Sequence, residues 1–363
     1  MLVPTTRWME GGYVSLTDNT MNQAVMTAPG NIELRQVPIP KITGDQVLVE
    51  IAYIGVCGSD IHVYFGKHPY TPYPVVQGHE VSGRVVAAGD GVTKVKVGDR
   101  VTIEPQVACG TCYPCTHGLY NICNNLKVMG FQTTGTASDY FAVSEHHIVK
   151  LPDDLDFRYG AMIEPLSVGV RAVKKAGDMT DKQVLVIGAG PIGNLVAQTA
   201  KALGASKVMI SDVNGLRLEK ALASGVDVAV NVREEKLDAA VAREFGADRK
   251  ADVIFDCAGV QQAITSAVSV ARKGSDIVVV AVYEGVPQVD MAYINECEIR
   301  LIGTARYNFD DFETAISLVE AGKVRLDELI TDEFELSEYL EAYRKIENSP
   351  ETTMKVLVHV HAT

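Results

Sequence analysis

The chain has one tryptophan, Trp8, and aromatic side chains make up only 7% of it. No window approaches eighteen consecutive apolar residues, which argues against a transmembrane helix. The first twenty residues, MLVPTTRWMEGGYVSLTDNT, lack a basic segment leading into an apolar one. No export signal is therefore expected, and the cytoplasm is the expected location. Positive charge is also short, with 33 Lys and Arg against 46 Asp and Glu, a net charge of −13 and a pI near 5.1. So acidic a surface repels phosphate backbones and anionic headgroups, so neither nucleic acid nor a membrane is an expected partner. Cysteine is sparse, seven in all, and four of them crowd between Cys109 and Cys123. In a chain without an export signal that crowding reads as metal binding rather than a disulfide framework. Repeats and low-complexity segments are absent. The 47% hydrophobic and 22% charged residues match an ordinary globular protein and exclude a disordered or collagen-like chain.

At roughly 150 residues per domain, the 363 residues suggest two domains, at most three. Residues 1–20 mix Pro, Gly and Thr without periodicity and read as an N-terminal extension, either an oligomer arm or a start placed too far upstream. From Gln23 to Leu151 the texture is all-β. Runs such as Gln46-Val-Leu-Val-Glu-Ile, Gly83-Arg-Val-Val-Ala-Ala and Arg100-Val-Thr-Ile are punctuated by Gly and Pro, as in a sandwich or barrel. From Lys182 to Thr304, apolar runs (Val184-Leu-Val-Ile, Val208-Met-Ile, Val253-Ile-Phe, Ile277-Val-Val-Val-Ala-Val) alternate with helix-length amphipathic stretches. That alternation predicts a parallel sheet covered on both faces, an α/β fold. The final strand-like run, Met354 to Val360, can extend this sheet or return to the β region.

The run Val184–Ile187 leads into Gly188-Ala-Gly190-Pro191-Ile192-Gly193 and then into a helix from Asn194. The first glycine makes a tight turn, the second lets backbone approach a pyrophosphate and the third allows close helix–strand packing. Asp212 ends the next strand at the expected distance, where a carboxylate accepts hydrogen bonds from the adenosine ribose and repels a 2′-phosphate. NAD is thus favoured over NADP. Arg217, five residues on, can lie along the adenine or meet a 2′-phosphate, which keeps both cofactors in view.

Two metal patterns stand out. Cys109-x2-Cys112-x2-Cys115-x7-Cys123 can wrap one tetrahedral ion, and four-cysteine sites are closed, structural zinc sites. An iron–sulfur cluster also takes four cysteines, although the rest of the chain has no electron-transfer context. The second set is dispersed: Cys57-Gly-Ser59-Asp60-Ile-His62, Gly78-His79-Glu80 and Glu164-Pro165. One thiolate, one imidazole and one or two carboxylates leave a zinc an open position, which is the pattern of a catalytic ion. Each of these residues has a bland alternative as core or turn. Their joint occurrence with a dinucleotide motif is what raises them.

These motifs, in this order, resemble the zinc-containing medium-chain dehydrogenases, closest to the sorbitol (polyol) dehydrogenase branch, with threonine and sugar-phosphate dehydrogenases as neighbours. The resemblance covers everything after Met21. It implies a GroES-like β catalytic domain, residues 21–166 and 308–363, interrupted by a Rossmann doubly wound parallel-sheet NAD-binding domain, residues 167–307, with the active site in the cleft between them. It implies that Cys57, His79 and Glu80 hold a catalytic zinc and that Glu164 ligates it directly or through water. Asp60 would orient the His79 ring. Ser59 would bond the substrate hydroxyl and pass its proton through the nicotinamide ribose to His62. Arg306 and Tyr307 match a pair lining the polyol pocket. Two departures, Val63 in place of a substrate-facing Tyr and Gly135-Thr-Ala-Ser-Asp-Tyr140 in place of Gly-Gly-Phe-Ala-Glu-Tyr, mean the substrate need not be sorbitol.

The implied activity is zinc- and NAD-dependent oxidation of a secondary hydroxyl of a polyol or sugar acid to a ketone. A sugar-phosphate or L-threonine dehydrogenase of the same fold is the alternative, and a catalytically silent NAD- and zinc-binding relative is a third reading. A homodimer or homotetramer is expected by analogy, through edge strands near Ile277–Tyr283 and Glu298–Ile302.

Overall fold

The computed structural model describes residues 19–361, together with the backbone of a short antiparallel pair, Thr6–Met9 and Gly12–Ser15. Residues 1–5, 10–11, 16–18 and 362–363 lie outside the described residues, and half of the expected N-terminal extension, residues 1–20, lies with them. The chain forms two compact units, residues 1–164 with 330–363, and residues 165–329.

The first unit is built on a seven-stranded sheet, in the order Ile148–Lys150, Arg100–Ile103, Glu80–Ala88, Gln46–Val56, Lys355–His359, Ile330–Glu335, with Tyr140–Ser144 also paired to Gln46–Val56. The eleven-residue strand Gln46–Val56 is central because its sequence is apolar on both faces, and it is buried along most of its length. Its register slips at Leu48/Val49 and Ile51/Tyr53, irregularities that bend a strand and tighten its twist. Ile51, Ile54, Val85, Val101 and Val358 pack the core here, joined by Tyr339 and Tyr343 from helix Tyr339–Asn348.

The last strand returns to this unit: Val356 pairs with Val56 and His359 with Tyr53. The return starts at Ile330 rather than at residue 308. Helix Phe309–Glu320 and the turn after it are held within the second unit. Lys174 Nζ lies 2.8 Å from Asp311 Oδ1, and Gln198 Oε1 accepts a hydrogen bond from the Arg325 N–H at 2.7 Å.

The second unit carries a six-stranded parallel sheet. Its order is Val228–Asn231, Lys207–Asp212, Gln183–Ile187, Ala251–Asp256, Ala271–Val279, Arg300–Gly303. Numbered along the chain within the unit, this is 3-2-1-4-5-6, the doubly wound dinucleotide-binding order. Leu185, Met209 and Ile254 face one core, whereas Val184, Val208 and Val253 face another. Both faces are covered, which is why these strands are apolar without alternation. The strand containing Ile277 is not an edge. It pairs with Ala251–Asp256 on one side and Arg300–Gly303 on the other, so a sixth strand supplies the cover its apolar sequence demands. Among the described residues no helix is long and apolar enough to cross a membrane.

Candidate metal and dinucleotide sites

In the first unit the end of strand Gln46–Val56 delivers Cys57 as the N-cap of helix Gly58–Tyr64. The Cys57 N–H donates to Asp60 Oδ2 at 2.9 Å, closing a capping box. The other oxygen of this buried carboxylate accepts from Gln77 Nε2 at 3.1 Å and lies 3.4 Å from His79 Nδ1. Asp60 thus ties together two segments about twenty residues apart and fixes the Nδ1 side of the His79 ring. Burial works against the charged form of the His79 ring, but Asp60 and Cys57 outweigh it and push the pKa well above the usual range. Gln77 is oriented in turn by the Tyr343 hydroxyl, which donates to its Oε1 at 3.0 Å.

Glu80 opens strand Glu80–Ala88 and sits opposite Gly55 in register. A Cβ on Gly55 would overlap Glu80 Oε2, so the bare glycine is what leaves the carboxylate its space. Donor atoms of Cys57, His79 and Glu80 all lie within 4.8 Å of one another, close enough to share one ion. Glu164, in the first turn of helix Ile163–Lys175, is buried and its charge reaches Lys355, but it is not among the three mutually close donors. Ser59 and His62 lie on the Cys57 helix, Ser59 half-buried and His62 exposed. Val63, on the same helix, is fully buried in the core and does not take a substrate-facing position.

The four-cysteine loop folds back on itself around the short helix Tyr113–Thr116. Its Sγ–Sγ distances are 3.4 Å (Cys112–Cys115), 3.7 Å (Cys112–Cys123) and 4.0 Å (Cys109–Cys115). Zinc–sulfur bonds of about 2.3 Å place tetrahedral sulfurs about 3.8 Å apart, so the spacing fits one such ion. All seven cysteines are unpaired. The backbone N–H groups of Cys109 and Asn125 point at Cys123 Sγ, each 3.3 Å away. N–H groups of Thr111 and Cys112 hold the Cys109 thiol down to about 5. Burial and the neighbouring thiols push Cys115 up to about 12. Four such sulfurs ionise together only around a cation.

In the second unit the three glycines of the 188–193 loop have three different surroundings. Gly188 adopts φ +99°, which favours glycine, and an added Cβ would meet the backbone of Cys257 and Ala258. A Cβ on Gly193 would overlap the Gly188 carbonyl oxygen. Around Gly190 the space is open, with only Arg217 Nη1 at 4.0 Å, and Pro191 then starts helix Pro191–Ala202. This leaves backbone accessible at the second glycine and at the helix N-terminus, whose unpaired N–H groups suit an anion. Asp212 Oδ2 accepts from the Ala189 N–H at 2.6 Å, while Oδ1 accepts from Val213 and Asn214 at 2.7 and 2.9 Å. Arg217 and Asp212 therefore flank the same loop. Arg306 is exposed with a left-handed φ of 52°, and Tyr307 is buried edge-on to Phe312, ring centroids 5.0 Å apart.

Sequence reasoning missed Lys355, Gln77 and Tyr343. The one available signal was Lys355 itself, a charge in an otherwise apolar terminal strand whose Nζ lies 2.7 and 2.6 Å from the two Glu80 oxygens.

Residues 43–153 match the alcohol dehydrogenase GroES-like domain family, and residues 191–321 match the zinc-binding dehydrogenase family. Sorbitol dehydrogenase 1 of Saccharomyces cerevisiae is 37% identical over 342 residues, 90% of this chain and 95% of its own length. The D-arabitol-phosphate dehydrogenase of Enterococcus avium is 36% identical over 93% of this chain and 97% of its own. An Escherichia coli alcohol dehydrogenase solved with NADH superposes with a TM-score of 0.87 at 31% identity, over 94% of this chain and all of that one. The chain belongs to the zinc-containing medium-chain dehydrogenases of the sorbitol dehydrogenase type. It is a zinc- and NAD-dependent oxidoreductase acting on alcohols of the polyol class.

Proposed function

We propose that this protein oxidises a secondary hydroxyl of a polyol or sugar acid to a ketone, passing hydride to NAD. The observation that carries the reading is the set Cys57, His79 and Glu80, three donors of mixed charge within 4.8 Å of one another, with Asp60 behind the histidine. These residues would hold one zinc, and Cys109, Cys112, Cys115 and Cys123 a second, structural one. When bound, the first supplies Lewis acidity that eases removal of a hydroxyl proton near neutral pH. Glu164 assists as an outer carboxylate. Ser59 takes up the hydroxyl proton as it passes its own onward by relay to His62, which is exposed on the same helix and delivers it to water. Gly188, Gly190, Pro191, Ile192 and Gly193 receive the pyrophosphate, Asp212 the adenosine ribose, and Arg217 the adenine edge. Arg306 and Tyr307 contribute to substrate selection.

A phosphorylated or otherwise anionic polyol is favoured as a second reading by one feature. Between residues 51 and 79 the exposed ionisable groups are all basic or neutral, namely His62, Lys67 and, half-buried, His68, whereas Asp60 is buried. We further propose a cytoplasmic homodimer or homotetramer.

The deciding experiment is formation of reduced nicotinamide by the zinc-loaded protein with NAD. The panel holds four- to six-carbon polyols, aldonates, their phosphates and L-threonine. Turnover confined to one stereochemical series of polyols or aldonates is the expected result. Turnover of phosphates alone moves the assignment to the second reading, and turnover of threonine alone overturns both.

A further inference from the structure

Lys355 lies at the start of the last strand, pointing into the first unit. Its Nζ is 2.7 Å from Glu80 Oε1, 2.6 Å from Glu80 Oε2 and 3.4 Å from the Val56 carbonyl oxygen. Lys355 is 3% exposed and Glu80 is fully buried. The register explains the meeting. Gly55 pairs with Glu80 on one side and with Leu357 on the other, and its missing side chain opens the space between the two strands. Both oxygens of one carboxylate are therefore turned to an ammonium, while the same carboxylate lies within ligand distance of Cys57 and His79.

A buried carboxylate without a cation is strongly unfavourable. Lys355 removes that penalty before any metal arrives, so the ligand set is held in place by the protein alone. The same ammonium repels an incoming dication and must give up or share its hold on Glu80 when the metal binds. We propose that Lys355 is a positioning residue that preorganises Glu80 and competes with the metal for it, so that the site folds without its ion and can exchange it. This rests on the assignment of Cys57, His79 and Glu80 as ligands.

The test uses the full chain loaded with zinc. Zinc is first counted per chain in the wild type and in C57S, and its transfer to a chromogenic chelator is then followed. The wild type is expected to hold two ions and C57S one, which assigns the ion of this site. Lys355→Met should release that ion about tenfold more slowly or slower still, within the range of outer-shell effects on metal affinity. Metal-free K355M should melt below the metal-free wild type, and the difference should shrink once zinc is bound. In cobalt-loaded protein the ligand-field bands should shift in K355M and stay put in K355R. Release at an unchanged or faster rate in K355M overturns the proposal while leaving the ligand assignment intact. A wild type holding only the four-cysteine ion overturns both. Should K355M fail to fold, Lys355→Gln keeps a hydrogen-bond donor without the charge and is read by the same release rate.

Discussion

Asp60 shows how much one side chain can organise. Its two oxygens take the Cys57 N–H, the Gln77 amide and the His79 ring, so a single buried carboxylate sets both the start of a helix and the face of an imidazole. Asp212 plays a comparable part in the second unit, where it anchors the glycine loop through Ala189 and takes the Val213 and Asn214 N–H groups on its other oxygen. Hydrogen bonds to charged groups contribute about 1.5–3 kcal/mol. Asp212→Ala should therefore lower the preference for NAD over NADP, taken as the ratio of kcat/KM values, by about tenfold or more. Arg217 would then be left to favour the 2′-phosphate. An unchanged ratio would remove Asp212 from cofactor selection.

Helix Tyr339–Asn348 is linked to the proposed metal site through a chain of hydrogen bonds. Tyr343 bonds Gln77, Gln77 bonds Asp60, and Asp60 faces His79. Tyr343→Phe leaves Gln77 Oε1 buried without this partner, a loss of about 1–3 kcal/mol. The expected outcome is a modestly lower thermal midpoint together with weaker metal binding at the Cys57 site, both measurable on the purified chain. Loss of stability with unchanged metal affinity would make the tyrosine a packing residue only. The cysteine loop is a different kind of element, short and poor in buried apolar side chains, so the proposed structural zinc would be what fixes its shape. Cys112→Ser should cost one zinc per chain and lower the thermal midpoint, whereas added zinc should restore stability to the wild type alone.

Across the chain, the two units have opposite construction. The first is mainly antiparallel and takes its last two strands from the C-terminus, whereas the second is parallel and continuous in sequence. The outer strand of the second unit, Arg300–Gly303, presents Leu301 at 41% exposure, and Val282, Val286 and Met291 are more exposed still. Unpaired edges and apolar patches of this kind are covered by association. Light scattering should give a mass of two or four chains, and Leu301→Arg should shift it toward one. A monomeric wild type would overturn the expected assembly.

The local signals in the sequence were strong wherever the chemistry requires contiguous residues. The glycine loop, the four cysteines, Gly78-His79-Glu80 and the apolar parallel strands were all legible, because turn geometry, ligand spacing and two-sided burial each leave a short pattern. The parallel, two-sided character of the second sheet also followed from alternating strands and helices, whereas its six-strand order came from the structure. What no local pattern contains is which distant segments meet. Lys355 against Glu80, Tyr343 against Gln77 and the burial of Val63 depend on partners up to 275 residues away. The place where the chain returns to the first unit, Ile330, was decided by how helix Phe309–Glu320 packs. The sequence by itself determined the fold class and the glycine-loop motif, and it marked the candidate ligands. Only tertiary structure decided which charges share a buried space, because burial and long-range strand pairing are properties of the folded chain as a whole.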